Sequence, residues 1–174
     1  MKIFITNLGR YNEGYLIGKW VKLPVCEDVL DKVLKEIGID EYYEEYFITD
    51  YENEIIGIGD VISEYSSVQA LNELAQRLED LSDDEADKLG AVLEYEACRS
   101  VSEVLELLDK LDEFDLLTDV TDDEELGYYY AEEYCCIDIP ESIQPYFDYE
   151  KFGRDVRLQS CCLYTSYGFL LDNR

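Results

Sequence analysis

The residues of this sequence that could do chemistry are its carboxylates. Residues 111–150 hold fourteen Asp and Glu and not one Lys or Arg, and residues 36–76 hold eleven acids, again with no base. The two spans contain twenty-five of the forty-two acids, while the other ninety-three residues carry seventeen acids against fourteen bases. Carboxylates at this density can coordinate a hard cation or work in pairs as general acid and base. They can also stand as a row of fixed negative charge facing a cationic partner.

Spacing narrows the choice. The tightest cluster is Asp122, Asp123, Glu124 and Glu125, preceded by Thr121. A calcium loop of the EF-hand kind needs alternating oxygen ligands and a Gly at its sixth position; counted from Asp119, that position is Glu124. Paired carboxylates for glycoside hydrolysis need a cleft, and a chain of 174 residues offers no obvious deep one. Histidine is absent, which removes Ser-His-Asp and Cys-His nucleophiles and the usual His-containing metal sites. The six cysteines (Cys26, Cys98, Cys135, Cys136, Cys161 and Cys162) form no C-x-x-C and are expected as reduced, partly buried thiols. Gly9 and Gly14 do not make a phosphate loop. No catalytic residue, metal or cofactor is expected. The bland reading of the cluster is a helix's first turn, where each anion gains about 0.3–1 kcal/mol. That accounts for two or three acids and not for so long a stretch without a base.

Composition sets the context. With 47% apolar and 13% aromatic residues the chain can bury a core, so the acidic blocks are not a disordered tail. A net charge of −28 costs folding stability through self-repulsion. It also opposes direct binding to nucleic acid and to anionic membranes, and favours basic partners. A halophile's solvation shell would load acids too, but six cysteines and many bulky side chains suit it poorly. The opening MKIFITNLGRYNEG lacks a signal peptide's apolar stretch, so the cytoplasm is the expected setting.

The elements that must carry these carboxylates follow from hydrophobic periodicity. Residues 2–8 and 15–23 are expected as strands around a turn at 9–14, with Pro24 ending the second. Val29, Leu30, Val33, Leu34 and Ile37 fall at helical spacing, with Cys26 a poor N-cap and Gly38 a natural stop. Residues 45–51 are expected as a third strand and 55–59 as a connector. Ser67 caps a helix with Val68, Leu71, Leu74, Ala75 and Leu78 inward. Ser82 to Glu85 opens a second as a capping box, with Ala86, Leu89, Leu93 and Ala97 inward. Ser100 to Glu103 opens a third, with Val101, Val104, Leu105, Leu108 and Leu111 inward. Residues 114–117 suggest a short strand, Thr121 to Glu124 another capping box, and 149–154 a short helix. Residues 156–158 and 164–171 are expected as closing strands. The expected fold is therefore α+β, an elongated chain of three small domains: α+β at 1–60, helical at 61–112 and α+β at 113–174. Their net charges are −7, −10 and −11.

Negative charge in all three parts suggests an imitation of DNA. Duplex DNA carries one charge per 1.7 Å of axis, so −28 corresponds to about 48 Å of duplex. Carboxylates fixed on folded elements can pair with the Lys and Arg of a DNA-binding groove. The surface expected to do so comprises Asp40, Glu41, Glu44, Glu45, Asp50, Glu52 and Glu54, followed by Asp112, Asp115, Asp119, Asp122, Asp123, Glu124, Glu125, Glu132 and Glu133. A chaperone or sequestering module for a basic DNA-binding protein would have the same composition.

Three segments go further: MKIFITNLGRYNEGYLIGKWVKLPV at 1–25, EYYEEYFITDYE at 41–52 and IPESIQPYFDYEKFGRDVRL at 139–158. Together they resemble the ArdA family of antirestriction proteins, in the right order over nearly the whole chain. The opening block and the D-Y-E-x-x-G-R-D element from Asp148 to Asp155 are the more specific parts, and residues 121–133 look like the family's antirestriction motif. The resemblance implies a DNA mimic carried on mobile genetic elements. Such a protein binds type I restriction–modification enzymes at the methyltransferase core and blocks restriction, often modification as well. It further implies a bent chain of three domains, a homodimer formed through the C-terminal one, and no catalytic residues. The Cys135-Cys136 and Cys161-Cys162 pairs depart from the family pattern.

Overall fold

A computed structural model describes residues 1–55, 57–134, 137 and 139–174, so the Cys135-Cys136 pair lies outside the described residues. The fold is α+β, with seven α-helices and two small antiparallel sheets among those residues. The chain gathers into two compact units, residues 1–86 with 97–109, and residues 87–96 with 110–174. The helices of the middle third are shared between these units.

In the first unit, β1 (Lys2–Asn7) leads into α1 (Leu8–Asn12), then β2 (Gly18–Lys22), α2 (Glu27–Glu36) and β3 (Tyr46–Glu52). The sheet order is β2-β1-β3. Alternation puts Ile3 and Ile5 on the buried face with Val21, and Val33 and Ile37 are buried as well. Asn7 closes this arrangement. Its buried side chain donates to the carbonyls of Ile37 (3.2 Å) and Gly38 (3.0 Å), and accepts from the Arg10 N–H (2.9 Å). The expected turn at 9–14 is thus partly helical, because Asn7 caps α1. Gly38 does end the α2 region, in the left-handed conformation with φ of 80°. Cys26 makes no side-chain cap, in keeping with its poor capping chemistry.

Three helices follow: α3 (Val68–Glu79), α4 (Asp83–Tyr95) and α5 (Val101–Leu108). The Ser67 cap and the Ser82–Glu85 box form as expected, the Glu85 carboxylate accepting from the Ser82 N–H at 2.9 Å. At α5 the box closes one residue earlier. Ser100 Oγ accepts from the Glu103 N–H, but Glu103 reaches back to the Arg99 N–H at 2.8 Å. The inward face of α4 also differs from expectation. Leu89, Gly90, Ala91 and Val92 are buried, whereas Ala97 is exposed beyond the helix end. Gly90 leaves room for the Tyr167 ring, which a Cβ would meet.

The second unit contains part of α4 together with β4 (Phe114–Leu117), α6 (Asp123–Tyr128), α7 (Tyr149–Gln159), β5 (Cys162–Thr165) and β6 (Gly168–Asp172). The sheet order is β4-β6-β5, and Val120, Leu126 and Phe169 form its buried core cluster. Residues 156–158 are helical and not a strand. They continue α7, and the closing strands are the hairpin β5–β6. The reason is the contact between α6 and α7. A Cβ on Gly153 would lie 2.5 Å from Gly127 N and overlap the Asp123 carbonyl oxygen, while one on Gly127 would overlap the Tyr149 carbonyl oxygen. The two helices therefore meet backbone to backbone, and α7 must run past Gly153 to present a full face to α6. The D-Y-E-x-x-G-R-D element supplies both the crossing glycine and the helix cap, Asp148 accepting from the Lys151 N–H at 3.0 Å.

Gly153→Ala forces this crossing apart. Urea unfolding should show a loss of about 3 kcal/mol, the upper range for overpacking a tight contact. A change under about 0.5 kcal/mol would contradict the close crossing.

Candidate functional site: a carboxylate surface

Of the sixteen carboxylates expected to form one surface, fourteen are exposed and two, Asp123 and Glu132, are half-buried. In the first unit, Asp40, Glu41, Glu44 and Glu45 occupy the loop between α2 and β3, Asp50 and Glu52 lie on β3, and Glu54 follows it. The loop is built around Asp40, whose Oδ1 accepts the N–H groups of Tyr42 (2.8 Å) and Tyr43 (3.0 Å). Those two donors hold its carboxyl below the usual carboxylate range. Asp50 and Glu52 are two residues apart on one strand and so share a face. Glu52 faces Lys2 across the sheet and is paired with it at 2.7 Å, an exposed contact of the weak kind.

In the second unit, Asp112 lies in a 3-10 turn (Leu111–Glu113), and Asp115 on β4 accepts from Asn173 at 2.8 Å. The cluster at 122–125 is a capping box, one residue later than expected. Asp122 is the N-cap, accepting from the Glu125 N–H at 2.9 Å, and Glu125 accepts from the N–H and hydroxyl of Thr121, both at 2.8 Å. Asp122 takes the cap in place of Thr121 because Asp is a better N-cap than Thr. Behind it α6 widens into a π-helical turn (Tyr129–Tyr134).

Asp123 differs from its neighbours. Its carboxylate takes both fork donors of Arg157, Nε at 2.7 Å and Nη2 at 3.0 Å, and the Tyr164 hydroxyl at 2.8 Å. The side chain is only 19% exposed. Arg157 holds the Asp123 carboxyl below its ordinary range, with Tyr164 adding to the effect, and burial opposes them. Burial and the Asp123 charge push the Tyr164 hydroxyl upward. Glu132, the other half-buried acid, accepts from the Tyr149 hydroxyl at 2.6 Å. These partners could not be read from the sequence, because Arg157 is thirty-four residues from Asp123.

An open groove of about 670 Å³ lies beside this turn, with Leu116, Leu117, Val120, Tyr128 and Tyr129 in its lining. Asp119, Asp122, Glu124, Glu125 and Glu133 line it, with no Lys or Arg. Sequence reading did not anticipate a concavity here. The signal was an apolar β4 running into an acidic turn. Among the described residues no group of three His, Cys, Asp or Glu side chains converges as a metal site would, and no helix is long and apolar enough to cross a membrane.

The family model described as "Antirestriction protein (ArdA)" matches residues 3–170, which include both acidic blocks, the α6–α7 crossing and all sixteen carboxylates. The chain belongs to the ArdA antirestriction family. No curated protein matches it. Antirestriction is accordingly the family function, exercised on restriction–modification enzymes. Within this ArdA fold most of the described acids face outward, whereas Asp123, Glu132, Glu96 and Asp172 are half-buried.

Asp123 has a folded-state pKa below its unfolded value. Its stabilising contribution is therefore present above the unfolded value near 4 and is lost as pH falls through the lower, folded one. Asp123→Asn should cost on the order of 1 kcal/mol at pH 7. The gap between variant and parent should close as pH falls below about 4. A pH-independent difference in thermal unfolding would show that the ion pair is not its source.

Proposed function

We propose that this protein is a non-enzymatic DNA mimic. It occupies the DNA groove of a type I restriction–modification enzyme, at the methyltransferase core, and blocks restriction, and modification with it, by competing with DNA. The observation that carries this reading is the pair of long base-free blocks, in which fourteen of the sixteen carboxylates of the expected surface are exposed, in an antirestriction family. The charge of −28 supplies the electrostatic equivalent of about 48 Å of duplex per chain. The proposal includes the elongated three-domain arrangement, a homodimer formed through residues 113–174, and a cytoplasmic protein encoded on a mobile element. It needs no cofactor and binds neither nucleic acid nor membrane directly.

A hydrolytic role for the acidic groove is less well supported. Its five carboxylates are all exposed, and a general acid working near neutral pH depends on desolvation or a close like charge to raise its pKa. Those of Asp122 and Glu125 are already engaged in capping α6.

The decisive measurement is DNA cleavage by a purified type I enzyme, titrated with this protein over a range of salt concentrations. Inhibition should weaken steeply as salt rises, as DNA binding itself does. Thermal stability should move the opposite way, rising with salt as self-repulsion is screened. Neutralising one exposed acid, such as Asp119→Asn, should weaken inhibition by roughly two- to threefold. Salt-independent inhibition, or abolition by one such change, would indicate a local site in place of distributed charge. A pull-down preferring generic basic proteins over the methyltransferase core would favour the acidic-chaperone reading.

A further inference from the structure

We infer that Arg157 is the positioning residue of the acidic first turn of α6, and that Asp123 serves that turn as its internal anchor and not as a mimicked phosphate. The inference rests on the DNA-mimic reading for what the turn does, though not for how the turn is held.

The geometry is that of a short helix fixed at three points. An α-helix of six residues is not stable alone, so α6 depends on what it packs against. Its contact with α7 centres on Gly127 and Gly153, where two backbones touch and no side chain interlocks. Such a contact fixes the distance between helices but offers little resistance to rotation about the helix axis. Rotation is resisted at the two ends. At one end Tyr149 of α7 packs on Tyr128, ring centroids 5.6 Å apart, and donates to Glu132. At the other, Arg157 forks onto Asp123 and Tyr164 adds a third bond from β5. Asp123 and Gly127 are four residues apart on α6, and Tyr149, Gly153 and Arg157 repeat that spacing on α7. Polar clasp, glycine crossing and aromatic clasp therefore form one antiparallel seam.

This seam aims the outward acids. With Asp123 held inward, Asp122, Glu124 and Glu125 point to solvent. A carboxylate about 6 Å from the helix axis moves roughly 2 Å for a rotation of about 20°. That shift is enough to break charge-assisted bonds about 2.8 Å long. A guanidinium fork suits the task better than an ammonium, because two parallel bonds fix orientation as well as distance.

Arg157→Gln gives the sharpest test, because charge and position predict opposite signs. The variant is more acidic than the parent, so net charge alone would make it the stronger inhibitor. Loss of positioning should instead weaken inhibition on the order of tenfold and raise amide hydrogen exchange at Glu125, Leu126 and Gly127. Asp123→Asn should weaken inhibition to a similar degree, the double variant should be no worse than either single one, and Arg157→Lys should fall between parent and Arg157→Gln. If Arg157→Gln does not fold, Tyr164→Phe, which removes a single bond, should show a smaller change of the same sign in both measurements. Stronger inhibition by Arg157→Gln, or additive effects of Asp123→Asn and Arg157→Gln, would overturn the inference. So would faster exchange without any loss of inhibition. If the parent inhibits no type I enzyme, the mimicry reading fails and the role claimed here in inhibition falls with it. The exchange measurement would still show whether Arg157 holds α6.

Discussion

A chain with forty-two acids and fourteen bases folds against its own field, and its architecture reflects that constraint. Two carboxylates about 6 Å apart in water repel by roughly 0.7 kcal/mol before salt screens them. Repeated over dense clusters, this is comparable with the whole stability of a small domain. Among the described residues, five of the fourteen bases bridge distant segments of the chain. Arg174 binds Asp172 and Glu96 and lies over the Phe114 ring, Arg77 binds Asp109, and Arg157 takes Asp123. Lys2 and Lys19 bridge elements of the first unit through Glu52 and Glu36. The two lysine pairs are exposed and weak, so the half-buried pairs of Arg157 and Arg174 do more of this work.

Helix caps provide the second accommodation. Asp122, Glu85, Glu103 and Glu125 accept backbone N–H groups at or before helix starts, where the helix dipole favours an anion. Such an acid stabilises local structure without giving up its charge. An Asp held by Arg157 supplies structure at the expense of its outward field. Asp40, Asp122 and Glu125 of the exposed surface are held the first way, and the α6–α7 seam uses the second at Asp123.

Much of this was legible in the sequence because it depends on neighbours along the chain. Strands β1, β3 and β4, the Ser67 cap, the Ser82 box and the Gly38 stop all follow from local periodicity and capping chemistry. What escaped depends on distant partners. Val156 and Leu158 suggest a strand on their own, but Arg157 between them is held by Asp123 of α6, as part of α7. The α6 box begins at Asp122 because Asp is a better N-cap than Thr, a contest that residue patterns leave undecided. The inward turn of Asp123 needs Arg157 and Tyr164, and the groove beside it needs β4 and α6 brought together.

The caps also bear on how a protein can resemble nucleic acid. A phosphate is held in place by covalent bonds, whereas a glutamate on an open surface samples many rotamers and loses that freedom when a partner binds it. A carboxylate pinned by backbone N–H groups has given up much of that freedom already. Asp40 and Asp122 are of this kind, exposed yet fixed by the chain's own donors. The donors on Asp40 also favour its ionised form. Anions that are both permanent and immobile are the nearest a polypeptide comes to a phosphate row. The shortest acids, one or two bonds from a turn or a helix start, can reach that state most readily. In this chain several of them stand where the base-free blocks meet a loop or a helix cap.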